Sequence, residues 1–217
     1  SNTSDNLSVS SFTIDTTAPT LDNVTIASNN TLYTTMAKTG DNITLSFTSS
    51  EAIQTPSVSI AGQAATETGD NMTWSATYKM MGSDSEGSVS LNIGFSDLAG
   101  NAGSAVDNTT NGSAVQFDRT SPILNEVTTV PTPTADNASR YTFSSDEAGT
   151  ITYGGSCSSF TTSATTDINT ITFIALADGT YSNCKISVTD ASSNTSDNLS
   201  VSSFTIDTTA PTLDNVT

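Results

Sequence analysis

The chain has 217 residues, with 22 Asp and Glu against five Lys and Arg, no His and a formal net charge of −17. So acidic a surface makes nucleic acid and anionic lipid poor partners. With no His, two Cys lacking a base and no Gly-rich phosphate loop, no catalytic set is evident, and an enzyme is not expected.

Ser1–Thr25 and Ser193–Thr217 are identical, at an offset of 192 residues. Such a match marks a tandem array with a long period. Inside the shared stretch lies Phe12-Thr-Ile-Asp15-Thr-Thr-Ala-Pro19, repeated up to Asp207 and Pro211, with a looser copy ending Phe117-Asp118-Arg-Thr-Ser-Pro122. These "Asp, three residues, Pro" joints are 103 and 89 residues apart, each span fitting one β-sandwich domain. Domain A is expected over 16–118 and domain B over 119–207. Residues 1–15 would be the last strand of a preceding B-type repeat, and 208–217 the first strand of a following A-type repeat.

In chain order, Leu21–Ile26 alternates imperfectly, as a first strand often does. Ile43, Leu45 and Phe47 alternate cleanly with Thr and Ser, which predicts a half-buried strand. Val58 and Ile60, then Met72, Trp74, Ala76 and Tyr78, then Val89, Leu91, Ile93 and Phe95 continue the pattern, with Trp74 placed in the core. Val115 and Phe117 close domain A. Domain B repeats the plan with Ile123, Leu124 and Val127, then Tyr141 and Phe143, Ile151 and Tyr153, Ile171 and Phe173, Ile186 and Val188, and Val201, Phe204 and Ile206. About seven short strands per domain, with turn residues between them, predict an all-β chain of two tandem Ig-like β-sandwiches. The sequons at Asn42, Asn71, Asn108 and Asn137 are read as a by-product of Asn and Thr richness.

The acids have two readings. Most form a solvated, self-repelling surface. A subset recurs in both domains: Asp15, Glu51, Asp97 and Asn101 in A, and Asp118, Glu147, Asp190 and Asn194 in B. In a sandwich, the entry to the first strand and the loops after the second and sixth open at one pole, so each set converges there. Carboxylates with an amide oxygen form a hard-oxygen set suited to Ca²⁺, completed by backbone carbonyls or water. Asp84 and Glu86, in Gly82-Ser-Asp-Ser-Glu-Gly87, and Asp178, in Ala177-Asp-Gly179, are expected to face the joints, joining the site or capping it. The competing reading is that the joint Asp only opens a turn and Asp97–Asn101 is an ordinary Asx turn. Recurrence of the same anchors favours the cation.

Cys157 and Cys184 end and start strands that neighbour each other in one sheet of a sandwich. An even count in an all-β, His-free chain favours a disulfide over a metal or redox site, and an oxidising compartment. No stretch is apolar enough for a signal peptide or membrane span, so any export signal or anchor is expected outside this sequence.

The stretches SFTIDTTAPT, FTSSEAI, SDLAGNAG and FSSDEAGTITYGGSC…LADGTYSNCKISVTDASSN resemble the bacterial Ig-like repeats of very large surface adhesins. The resemblance covers the whole chain. It implies exported cadherin-like or extender modules, often with Ca²⁺ at the joints, that hold an adhesive tip away from the cell. It also implies the two Asp, Glu, Asp, Asn sets as ligands. Asp190-Ala-Ser-Ser-Asn194 departs from the family, which often has Gly before the Asn, and that turn is expected to be weaker. The expected function is a structural extender with neighbouring copies of the repeat as partners. The alternatives are a fibre subunit assembled laterally or end to end by strand exchange, and a carbohydrate-binding module using Tyr33 and Phe160.

Overall fold

A computed structural model describes residues 13–213, all strand, turn or irregular structure with no helix among them. The strands of the first half are β1 Leu21–Ser28, β2 Met36–Ala37, β3 Asn42–Ser49, β4 Ser57–Ile60, β5 Gln63–Ala64, β6 Thr66–Asp70, β7 Thr73–Lys79, β8 Gly87–Ser88, β9 Leu91–Gly94 and β10 Gln116–Phe117. Those of the second half are β11 Leu124–Thr128, β12 Arg140–Ser145, β13 Gly149–Gly154, β14 Ser163–Ala164, β15 Asp167–Thr172, β16 Gly179–Tyr181, β17 Lys185–Thr189, β18 Leu199–Ser200 and β19 Phe204–Ile206.

Contacts divide the chain into two compact units. Among the described residues, the first comprises 13–27, 43–79 and 88–114; the second comprises 28–42, 80–87 and 115–213. In the first unit the sheet orders are β1-β3-β7-β6 and β5-β4-β9. The alternating apolar residues of these strands turn inward, so Ile43, Leu45, Phe47, Val58, Ile60, Trp74 and Ile93 are buried while their polar neighbours are not. Met72 breaks the expected alternation: it sits in the β6–β7 turn, beside Asn71 at φ 49°, and is exposed.

In the second unit the sheets are β11-β12-β15, β14-β13-β17-β18 and β16-β19. The first two have the A-B-E and C′-C-F-G strand orders of an Ig-like sandwich. Tyr141, Phe143, Ile171 and Phe173 from one sheet meet Ile151, Ile186, Val188 and Val201 from the other. Phe173 lies 5.9 Å between centroids from both Tyr141 and Phe204. Ile123 and Val127, expected in this core, are exposed, and Leu124 alone of the three packs against it. For Val127 the reason is a bulge on edge strand β11 between Glu126 and Thr128, which shifts the alternation of residues; Ile123 lies just before the strand, next to the inward Leu124.

The repeat shows in the strand ends. β10 pairs in parallel with β2, and Asp118 N–H donates to the Ala37 carbonyl at 2.9 Å. Ile206 forms a parallel bridge with Thr134, and Asp207 N–H donates to the Thr134 carbonyl at 2.9 Å. The Cys157–Cys184 disulfide joins the segment after β13 to the residue before β17, strands that pair along five positions. The expected strand of a preceding repeat lies outside the described residues up to Phe12, and that of a following repeat from Asp214 onward.

Candidate metal centres

Two clusters of three carboxylates stand out. Asp15, Glu51 and Asp97 form the first, within the first unit; Asp118, Glu147 and Asp190 form the second, within the second unit. In each, one carboxylate oxygen per residue lies within 4.8 Å of the others. The three acids come from the joint, from the turn after the second long strand (β3 or β12), and from the loop after β9 or β17.

The local scaffolds match bond for bond. Each joint Asp accepts from the N–H two residues on: Asp15 from Thr17 and Asp118 from Thr120, both at 2.9 Å. Each Glu is set by a buried hydroxyl at the end of the preceding strand. Ser49 donates to the Glu51 carbonyl at 2.5 Å, and Ser145 to the Glu147 carbonyl at 2.6 Å. A Cβ on Gly149, just beyond Glu147, would collide with the Thr189 carbonyl, so only glycine allows β13 so close to β17. Asp97 Oδ1 and Asp190 Oδ1 accept from the backbone of Asn101 and Asn194 at 2.7 and 2.8 Å.

Asn101 and Asn194 were expected to offer amide oxygens. Instead, the Nδ2 of each faces the acids, donating to Asp97 and Asp190 Oδ2 at 2.7 and 2.9 Å. Each also donates to the joint carbonyl, Asp15 O or Asp118 O, at 3.1 Å. Two acceptors around one atom require a donor there. The asparagines therefore orient one Asp of each cluster and tie its loop to the joint.

Crowding shows in the ionisation. Glu147's carboxyl is pushed up to about 7, first by partial burial and then by the charges of Asp118, Asp190 and Asp146. Glu51 is also raised, by burial and by Asp15 and Asp97. Burial pushes Asp97 up, but hydrogen bonds from Asn101 and the loop backbone outweigh it and hold the group low. In each set a Glu resists ionising beside two Asp carboxylates.

Asp84 and Glu86 are not members of the Asp118 cluster. Asp84 is buried and accepts from Met81 N–H at 2.7 Å, closing its own loop. Glu86 grips the segment after the joint: its Oε1 accepts from Thr120 Oγ1 at 2.8 Å and Arg119 N–H at 3.2 Å, with Arg119 Nε 3.6 Å away. Arg119 also donates to the Gly82 carbonyl. Asp178 does the same at the next joint, accepting from Thr208 Oγ1 at 2.7 Å, Thr208 N–H and Thr209 Oγ1. These bonds hold Glu86 and Asp178 below the usual carboxylate range, Thr120 being the main cause for one and Thr208 for the other. Both acids clamp the linker rather than enter the cluster. An Asp178→Ala variant is expected to speed hydrogen exchange at the Thr208 amide while leaving the β13–β17 amides unchanged.

One set of contacts had no sequence signal. Within the second unit, Lys38 Nζ donates to the Ser193 carbonyl and Asn30 Nδ2 to the Ser192 carbonyl, both at 2.8 Å. They brace the loop at Ser193, whose φ of 70° is one that Gly100 adopts freely at the matching position. Tyr33 and Phe160 are both exposed, and Tyr33 lines a cavity of about 350 Å³ with Leu32, Thr189, Asp190 and Ala191.

No protein-family model matches the chain, and no curated protein does. Among solved structures, the chain is similar to a three-Ig segment of titin, domains I67–I69, in an E-to-A variant. There it has 12% identity and a TM-score of 0.41, covering 88% of this chain and 66% of that one, so it spans just under two thirds of the segment. The D00-D0 domain of intimin gives 10% identity and 0.36, covering 81% and 98%. SGBP-B of the Bacteroides ovatus mixed-linkage glucan utilization locus, in complex with a mixed-linkage heptasaccharide, gives 17% and 0.24, covering 79% and 43%. Identities of this size concern the fold alone. The sheets themselves define the chain as a tandem Ig-like β-sandwich protein.

Proposed function

We propose that this chain is a structural extender segment of a large extracellular bacterial adhesin, with Ca²⁺ held at the Asp15 and Asp118 joints. The observation that carries this reading is duplication: two joints 103 residues apart hold three carboxylates each on the same hydrogen-bonded scaffold. A turn needs one joint Asp. It does not need a Glu and a second Asp crowded against it, at a cost in ionisation.

The donor set fits the ion. Three carboxylates give up to six oxygens, but both oxygens of Asp97 and of Asp190 already accept from an Asn. Water or backbone carbonyls then complete the six to eight oxygens Ca²⁺ takes. The ion would neutralise the repulsion and fasten the joint strand to two loops of the sandwich that follows. The disulfide accords with an oxidising, extracellular setting. Copies joined in this way would act as a spacer with few flexible links.

The test is calorimetric titration of the whole chain with Ca²⁺, alongside thermal unfolding with and without chelator. Two sites per chain are expected, each adding about 3 kcal/mol of stability at a hundredfold excess over Kd. No binding heat and no shift in melting temperature at millimolar Ca²⁺ would overturn the reading.

A further inference from the structure

We infer that Phe160 and an apolar groove over β3, β6 and β7 are the two halves of an interaction surface by which separate copies of this chain associate laterally. The phenyl ring on one copy's second unit would enter the groove on another copy's first unit. The inference rests neither on the cation nor on contact between successive repeats.

Phe160 is 88% exposed, yet the loop that carries it is tightly held. Cys157, three residues before it, is fixed by the disulfide. Ile174 N–H donates to the Ser158 carbonyl at 2.8 Å, Ser159 Oγ to the Thr172 carbonyl at 2.7 Å, and Tyr153 Oη to the Thr161 carbonyl at 2.6 Å. An exposed aromatic ring on a loop that is already ordered loses little entropy on binding, which is what a contact anchor needs. Its neighbours, Ser158, Ser159, Thr161 and Thr162, are all uncharged.

The groove, about 460 Å³, is ample for one aromatic side chain, and its lining includes Trp74. Side-chain size accounts for the depression. β6 and β7 pair Thr68 with Ser75 and Asp70 with Thr73. Bonds from Ser49 N–H to the Met72 carbonyl and from Met80 N–H to the Asp41 carbonyl set Ser46 opposite Ser75 and Thr48 opposite Thr73. The middle row of outward side chains is thus Ser46-Ser75-Thr68, with two small serines, and the row beside it carries the bulkier Thr48 and Thr73. Thr48 Oγ1 is already engaged, accepting from Asn23 Nδ2 at 3.1 Å and donating to the Asp22 carbonyl at 3.2 Å, so its methyl is what it offers a ligand. None of the lining residues is charged. In a chain of net charge −17, copies repel wherever acid faces acid. Ring and groove are both neutral, so two copies can approach through them. Each copy carries the ring on one unit and the groove on the other, so contacts pass from copy to copy. Along two arrays, weak contacts recurring with the 192-residue period would add.

The test is sedimentation velocity of the 217-residue chain over a range of concentrations, in chelator and in enough salt to screen the net charge. Reversible association is expected, and the emission of Trp74, at the groove, should shift as it grows. Phe160→Ser and Thr68→Glu should each weaken association about tenfold. Both side chains are exposed, so neither melting curve should move. Mixing the two variants should give mixed pairs that neither forms alone, because the first keeps the groove and the second keeps the ring. A wild-type chain that stays monomeric throughout, undiminished association in Phe160→Ser, or no association in the mixture would overturn the inference. So would a neutral oligosaccharide that binds a monomeric chain through Phe160, which would make the ring a sugar platform instead. Since chelator is present throughout, failure here leaves the Ca²⁺ titration to stand or fall separately.

Discussion

Replacing Glu147 by Gln is expected to raise the melting temperature of the cation-free protein at pH 7.5 and to remove the second unit's response to Ca²⁺. The Glu147 carboxyl ionises at about 7 in the folded protein, against an ordinary 4.5. Between those values the folded state keeps a proton that the unfolded chain has released. Its contribution to stability is complete below about 4.5 and lost as pH rises through 7. Gln has no such proton, so the variant lacks this loss of stability across the window. Allowing for solvent screening at this half-buried site, the gain at pH 7.5 is about 1–2 kcal/mol, or a few degrees. Glu86, Asp97 and Asp178 act in a different range: held low in the fold, they stabilise above their ordinary values and lose that effect as pH falls further. A divalent ion reverses the sign at Glu147, because it favours the ionised form. Below pH 7, Ca²⁺ binding should therefore release a proton, which calorimetry in buffers of different ionisation enthalpy counts. A full Ca²⁺ response in Glu147→Gln, or a cation-free melting curve identical to wild type, would contradict this account.

Removing the disulfide should have the largest effect on the second unit. Cys157 and Cys184 close 27 residues, worth about 3 kcal/mol by loop-closure entropy. Both are buried, so the Cys157→Ala, Cys184→Ala double variant also leaves a small void. A fall of about 6–12 °C in the second unit's transition is expected. Near-ultraviolet circular dichroism, dominated there by the stacked Tyr141, Tyr181, Phe173 and Phe204, reads it out. Trp74, the one tryptophan, lies in the first unit and gives the fluorescence reference. Coincident melting of wild type and double variant would show that the bridge closes a loop already held by β13–β17 pairing.

Much of this was legible because period-2 burial leaves a direct mark. Ile43-Leu45-Phe47 and Tyr141-Phe143 alternate in sequence and in the fold. The carboxylate clusters were legible because the same acids recur after the same strands. What escaped has identifiable causes. The bulge in β11 depends on pairing with β12, so Val127 gave no warning of its exposure. Composition says which side chains are present but not which way an amide turns, and the asparagines proved to be donors. Glu86 and Asp178 carry no sequence mark that separates a clamp from a ligand; their partners, Thr120 and Thr208, lie 34 and 30 residues away. The Lys38–Ser193 bond spans 155 residues, and nothing local to either end announces it.

The parallel pairing of β2 with β10 also decides how a pull on the chain would be resisted. In a parallel pair, tension entering at the start of one strand and leaving at the end of the other runs along both strands. The hydrogen bonds then lie across the load and must yield together, whereas a hairpin peels one bond at a time. The isolated Thr134–Ile206 bridge has the same polarity, so a pull across it would load that pair in the same way.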